Sequence, residues 1–329
     1  MTFLAPTLEA FFTDRLRRQR DASPHTVAAY RDAFRLLLRY VQDTTGKAPA
    51  GLQIEDLDSP LIGAFLDYLE SQRGASVSTR NARLAAIRSL FRFAAPRYPD
   101  HLGLIQRVLA MPNKRGDREL VTFLTLPEIE ATLASPDRAT WTGRRDHALL
   151  LVAIQTGLRV SELTALRQED VQLGAGANVR CLGKGRKERC TPLTAQTVAV
   201  LRVWLKERVG HPGAPLFPGP SGAPLGRDAV RRIVARHTVT AARSCPSLAT
   251  KRVTPHTMRH TTAMQLLQAG VDTSVIALWL GHETVQTTHI YLHADLALKE
   301  RAIARTAPPN TPPGRYRAPD ALLAFLDGL

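Results

Sequence analysis

Five short patches between residues 156 and 293 carry side chains that could act together on a phosphate. In Thr156-Gly157-Leu158-Arg159-Val160-Ser161-Glu162-Leu163 an arginine follows directly on a helix stop, and Glu162, three residues on, could hold it in place. Gly183-Lys184-Gly185-Arg186-Lys187-Glu188-Arg189 sets a lysine between glycines at the tip of an expected hairpin. Pro255-His256-Thr257-Met258-Arg259-His260 puts His256 and Arg259 on one face of a helix, where both can address one phosphate. Leu280-Gly281-His282 and Thr287-Thr288-His289-Ile290-Tyr291-Leu292-His293 complete the set. Each patch alone also fits a bland role: a surface ion pair, a solvated basic turn, a core tyrosine. Their combination is what carries information.

Two arginines, two histidines, a lysine and a tyrosine suit one kind of chemistry. A phosphodiester attacked in line gathers negative charge on its non-bridging oxygens, and fixed Arg and His donors stabilise that charge. Tyrosine offers an oxygen nucleophile of pKa ~10, poor until its surroundings help it ionise. A lysine whose pKa is lowered by neighbouring cations can protonate the leaving sugar oxygen. Positive charge then does what a metal does in other nucleases, and a phosphotyrosine stores the bond energy, so neither metal nor ATP is expected. His256/His260 and His289/His293 do share the i, i+4 spacing of zinc ligands. Zinc ligands at that spacing, however, usually come with a completing carboxylate or cysteine. No His-Glu-x-x-His is present, and His282-Glu283 is followed by no His at the right place, so a catalytic metal is not expected. The Lys184 turn lacks the spacing of a Walker A loop.

In this order the patches closely resemble the tyrosine recombinase (phage integrase) family. Arg159, Lys184, His256, Arg259, His282 and Tyr291 each match a family catalytic position. The resemblance implies a site-specific DNA recombinase that works without a cofactor, as a homo-tetramer on two double-stranded DNA sites. It implies that Arg159 and Arg259 clamp the scissile phosphate with help from His256 and His282. Lys184 would protonate the leaving 5′ oxygen, Tyr291 would take the 3′ phosphate, and Glu162 and His260 would support the site from behind. Since the chain opens on helices similar to the family's core-binding domain, Xer-type or transposon-borne members are the nearer match. Integration, excision and dimer resolution all fit. The rival readings are a type IB topoisomerase or telomere resolvase, and an accessory protein that binds DNA without cutting it. A covalent protein–DNA adduct and site-independent plasmid relaxation would separate them.

Such residues need elements to hold them, and the periodicity predicts a mostly α, two-domain fold. It comprises a four-helix core-binding domain over 1–112, a linker over 113–124 and a mixed α+β catalytic domain over 125–305 with a small antiparallel sheet. In the first domain Leu8, Phe11, Phe12 and Leu16 share a face, and Ser23-Pro24 caps the helix of Val27, Tyr30, Phe34, Leu37 and Val41. Ser59-Pro60 repeats that start signal. A fourth helix interleaves Leu84, Ile87, Leu90 and Phe91 with Arg80, Arg83, Arg88 and Arg92, which, with Arg186 and Lys187 at the hairpin tip, are the expected DNA contacts. A long apolar helix stops at Gly157, and strands are predicted over 170–173, 178–182 and 188–193. A hairpin turning between Gly185 and Arg186 would set Cys181 opposite Cys190, near the short limit for a disulfide, although a reducing cytosol favours two thiols. Beyond Arg305, five prolines precede Leu322, Leu323, Phe325, Leu326 and Leu329, which read as a stiff linker and a short docking helix over 306–329.

The whole-chain properties agree. Lys and Arg number 44 against 29 Asp and Glu, a surplus of 15, which marks a polyanion ligand. No apolar run reaches the ~18 residues that span a bilayer, and the first residues lack a signal-peptide pattern, so a cytoplasmic, nucleoid-associated protein is expected. Three cysteines, an odd number with no Cys-x-x-Cys, argue against a disulfide framework or a common structural zinc site.

Overall fold

A computed structural model describes residues 3–116, 121–183, 188–208 and 211–294. The chain divides into two units, Met1–Arg118 and Glu119–Leu329.

In the first unit the caps set the helices. Helix α1 (Leu4–Ala10) runs on into a π-helical stretch, Phe11–Gln19. Ser23 accepts a hydrogen bond from the Thr26 amide and Pro24 fills the first position of α2 (Pro24–Thr45), as its sequence predicts. For α3 (Ser59–Ser71) the cap lies one residue earlier than expected: Asp58 accepts from the Leu61 amide at 2.9 Å. Helix α4 (Val77–Ala94) carries the arginine stripe, and Phe11, Phe34, Leu37, Phe65, Ile87 and Phe91 are buried together. A fifth helix, α5 (Leu102–Ala110), adds Ile105 and Val108 to this core. The four-helix expectation passed over it because it is short and its N-cap position, His101, makes no capping bond.

The second unit is built around α7 (Trp141–Thr156), from whose second half Leu149, Leu150, Val152 and Ile154 enter the core. Helix α6 (Leu126–Ala134) precedes it and α8 (Val160–Ala165) follows. Then come three antiparallel strands in the order β1 (Val171–Gln172), β2 (Asn178–Leu182), β3 (Glu188–Pro192). Helices α9 (Ala195–Lys206), α10 (Arg227–Ala241), α11 (Pro255–Gln268), α12 (Thr273–Leu280) and α13 (His289–Ala294) complete it. Helices α9 and α11 pack on α7. Asp146 of α7, fully buried, accepts from Arg145 at 2.7 Å and from Arg236 and His237 of α10, which ties these two helices by charge-assisted bonds.

The hairpin register corrects one expectation. Cys181 pairs with Arg189, and Cys190 pairs with Arg180. The pairing register is therefore shifted by one residue, and because side chains alternate along a strand, that single step sends the two cysteines to opposite faces. Cys181 is buried, Cys190 is exposed, and both are free thiols. The proposed disulfide has no geometry to form. Among the described residues no helix is long and apolar enough to cross a membrane.

Candidate active site

Two helix ends meet at the centre of the second unit. Helix α7 stops at Gly157, which takes a left-handed conformation (φ 64°), and α12 stops at Gly281 in the same way (φ 65°). A Cβ on Gly157 would lie 2.6 Å from Leu280 Cδ2, so the two turns need glycine for closeness as well as for φ. Helix ends leave carbonyls without partners inside the helix. Here three guanidinium groups take three consecutive ones: Arg189 Nε donates to Trp279 O (3.2 Å), Arg259 to Leu280 O (2.7 Å) and Arg159 to Gly281 O (2.9 Å). Arg259 also donates to Gly157 O at 2.7 Å, so it staples both turns. The negative end of the α12 dipole offsets part of the repulsion among these cations.

Glu162 is the carboxylate among them. Its side chain, 4% exposed, accepts from the Arg159 backbone amide (2.7 Å), Arg159 Nη1 (2.9 Å), Arg189 Nη1 (3.0 Å) and Arg189 Nη2 (2.7 Å). Burial raises its pKa, but the bonds from Arg189 and Arg159 outweigh that and hold it below the ordinary carboxylate value. Burial, followed by Arg159, lowers the pKa of Arg259 to about 10. Three arginines against one carboxylate leave the site with a surplus positive charge facing one small region.

The histidines and the tyrosine adjoin this cluster. His256 and His260 lie one turn apart on α11 with ring centroids 4.1 Å apart, edge to face. Tyr291 on α13 is 1% exposed, and its hydroxyl lies 3.0 Å from His260 Nδ1. Its ring stands 6.4 Å from that of His282, nearly parallel. His282 in turn shares a 2.8 Å hydrogen bond between Nδ1 and the hydroxyl of Thr288, which is fully buried. Burial, then Arg259, Arg159 and Arg189, lowers His282 to about 4. Burial, then His256, Arg259 and His282, lowers His260 to about 4 as well. His256 is lowered by burial, Arg259 and Arg159. Tyr291 is pushed up to about 12 by burial, which Arg259 and Arg159 only partly oppose. Among the described residues no three of His, Cys, Asp and Glu gather as a metal-binding group.

The structure thus brings together Arg159, Glu162, His256, Arg259, His260, His282 and Tyr291, which lie up to 132 positions apart in sequence (291 − 159). Lys184, Arg186 and Lys187 fall outside the described residues. The four α4 arginines belong to the first unit. Arg80 lies 3.5 Å from Glu70, and Arg88 donates to Asn113 at 3.0 Å. Burial, then Arg92 and Arg80, lowers the pKa of Arg88, so that part of the stripe repels itself, while burial, then Arg73 outside α4, lowers that of Arg83. Sequence reasoning overlooked Arg189 and Thr288. Arg189 is an inward position of β3 and is recognisable only once the strand register is known; Thr288 sits in the Tyr291 patch but gives no sign of which side chain it meets.

Comparison with known proteins agrees with this geometry. The description "Phage integrase family" matches residues 122–297, and "Phage integrase, N-terminal SAM-like domain" matches residues 10–97. The chain is 56% identical to the integrase/recombinase y4rC of Sinorhizobium fredii over 326 residues, covering 99% of this chain and 98% of that protein. It is 35% identical to tyrosine recombinase XerC of Pelobacter propionicus over 286 residues, covering 85% and 88%. In fold it is similar to the XerH site-specific recombinase in its post-cleavage complex with a palindromic difH substrate (TM-score 0.71, 23% identity, 87% of this chain and 81% of that one). With its two matched domains and these relatives, the chain belongs to the phage integrase family of tyrosine recombinases.

Proposed function

We propose that this recombinase cuts and rejoins double-stranded DNA at specific sites through a 3′-phosphotyrosine on Tyr291, without metal or ATP. One observation carries the reading: three arginines are oriented by the end of α12 and balanced by a single carboxylate, and two of them, Arg159 and Arg259, act on a buried tyrosine whose pKa burial pushes up. Such a site lacks an anion, and a phosphodiester supplies one. Arg159 and Arg259 would hold its non-bridging oxygens while keeping their ties to Gly281 and Leu280. His282, fixed by Thr288, and His256, at the solvent edge, would add neutral donors. Lys184 is the proposed acid for the leaving 5′ oxygen.

Arg80, Arg83, Arg88 and Arg92, with Arg186 and Lys187, are the proposed phosphate contacts outside the reacting bond, in a DNA-gripping domain over 1–112. The self-repulsion within the α4 stripe supports this, since a polyanion relieves it. By the same reading the protein assembles as a tetramer on two sites, meets DNA in the cytoplasm, and serves a mobile element or dimer resolution. The C-terminal segment over 306–329, proposed to link protomers, lies outside the described residues.

The test is Tyr291→Phe. The variant should bind DNA as the wild type does and form no covalent adduct on a denaturing gel, because the arginines hold the phosphate while the hydroxyl does the chemistry. An adduct formed by Tyr291→Phe would overturn the assignment.

A further inference from the structure

We infer that His260 is the base that takes the Tyr291 proton during attack, and the acid that returns it when the strand is rejoined. This deepens the reading above and rests on Tyr291 being the nucleophile.

The geometry is specific to this histidine. Its Nδ1 lies 3.0 Å from the Tyr291 hydroxyl and the rings meet edge to face at 5.5 Å. The Nδ1 of His282 is taken by Thr288 at 2.8 Å, and His256 meets His260 rather than the phenol. Among the described residues, His260 is the titratable group in hydrogen-bonding reach of the nucleophilic oxygen. Its place on α11 explains why. One step along a helix turns about 100°, so Arg259 faces the carbonyls of Gly157 and Leu280 while His260 faces α13. Tyr291 belongs to an apolar cluster with Ala263, Met264, Leu267, Ile276 and Leu280, which keeps bulk water from serving as the base.

With the imidazole proton on Nε2, the Nδ1 lone pair receives the phenolic O–H. The low pKa of His260 keeps that lone pair open at neutral pH, and the high pKa of Tyr291 keeps the phenol protonated until attack. Burial thus disfavours a stored tyrosinate, and in this scheme the proton leaves as the new bond forms. In that step the Oη–H bond breaks and the proton passes to His260 Nδ1. The Oη electron pair forms the bond to phosphorus, the P–O5′ bond breaks, and O5′ takes a proton from the general acid, proposed as Lys184. Rejoining reverses each transfer, and His260 gives its proton back to the tyrosine oxygen as it departs.

Wild-type adducts first map a cleavable duplex, on which single-turnover adduct formation is then followed from pH 6 to 9 for wild type, His260→Ala, His260→Asn and Tyr291→Phe. Asparagine keeps a polar atom near the Nδ1 position but accepts no proton. Both His260 variants should bind DNA normally and form adduct about 100-fold more slowly, a usual share for acid–base catalysis. Their rates should climb about tenfold per pH unit as hydroxide replaces the base, while the wild-type rate stays nearly flat. Added imidazole should restore part of the His260→Ala rate. If His260→Asn cleaves at or above the wild-type rate, or if both variants are slow with a wild-type pH profile and no response to imidazole, His260 only positions or restrains the phenol and the inference fails. An adduct from Tyr291→Phe would instead remove the reading on which it rests.

Discussion

Replacing Glu162 by glutamine changes one charge and almost no volume, at the point where two active-site arginines converge. Glu162 accepts four hydrogen bonds, three of them from guanidinium groups and one from the Arg159 amide. A glutamine keeps one acceptor oxygen and turns an NH₂ toward a donor. Removing one partner of a buried ion pair costs about 3–5 kcal/mol. Arg159 is 32% exposed and water screens its share, so the weight falls on Arg189, at 11%, and about 3 kcal/mol is the better figure. For a unit of this size that lowers Tm by about 6–12 °C. The folded-state carboxyl is held below its ordinary value. Its contribution is therefore complete above the unfolded value of about 4.3 and is lost as pH falls through the lower folded value. Melting curves of wild type and Glu162→Gln should differ most at pH 6–8 and converge only in acid, below about pH 4. Adduct formation should fall by at least about tenfold, since Arg159 keeps its bond to Gly281 O but loses the carboxylate that aims it. Equal Tm values at pH 7, or a gap that persists unchanged below pH 4, would show that Glu162 does not hold the arginines by charge.

Three further outcomes follow from the same geometry. Gly281→Ala places a Cβ 2.8 Å from Arg189 Nη1 at a positive φ, so both Tm and cleavage should drop; Gly176→Ala, at φ 70° in open space, should cost only the backbone share of stability, ~1 kcal/mol, and spare cleavage. DNA affinity should fall steeply with salt, by roughly 10³-fold or more from 50 to 200 mM if six or more phosphates are neutralised, while adduct formation survives EDTA; cleavage that stops on chelation and returns with zinc or magnesium would refute the metal-free scheme. A chain ending at Ala307 should bind single sites normally and recombine poorly, and full recombination by that truncated protein would reject a role for the tail in linking protomers.

The parts of this architecture legible in sequence are those written locally. Ser23-Pro24 announces α2, and Gly157 announces the end of α7, because a cap and a left-handed turn each need a particular residue at one position. Ser59-Pro60 gave the start of α3 one residue late, since Asp58 competes for the same cap. The hairpin failed differently. Its strands were recognisable, but the residues between Leu182 and Glu188 admit two centres of turning, and sequence offers no ladder of hydrogen bonds to choose between them. That one-residue ambiguity hid both the separation of Cys181 from Cys190 and the inward direction of Arg189. Of the six positions that match the family pattern, the structure brings five together, Lys184 lying outside the described residues; Glu162 beside Arg159 was legible as its holder, whereas Arg189 and Thr288 were not.

What aims them is largely backbone, and this explains why the site leaves so faint a trace outside its reactive residues. Trp279, Leu280 and Gly281 contribute their carbonyls, so the three arginine contacts at the end of α12 depend on where that helix stops and hardly on which side chains stand there. Two requirements remain for side chains. Gly157 and Gly281 must be glycine, because the turns are left-handed and lie against Leu280 and Arg189. Glu162 must be a carboxylate, because backbone dipoles alone do not balance three guanidinium groups in a buried place. Any phosphate that enters then meets cations already oriented, and the cost of bringing like charges together has been met by folding rather than by binding. Under the proposed mechanism, electrostatic preorganisation of this kind would let a tyrosine of high pKa serve as the nucleophile without a metal beside it.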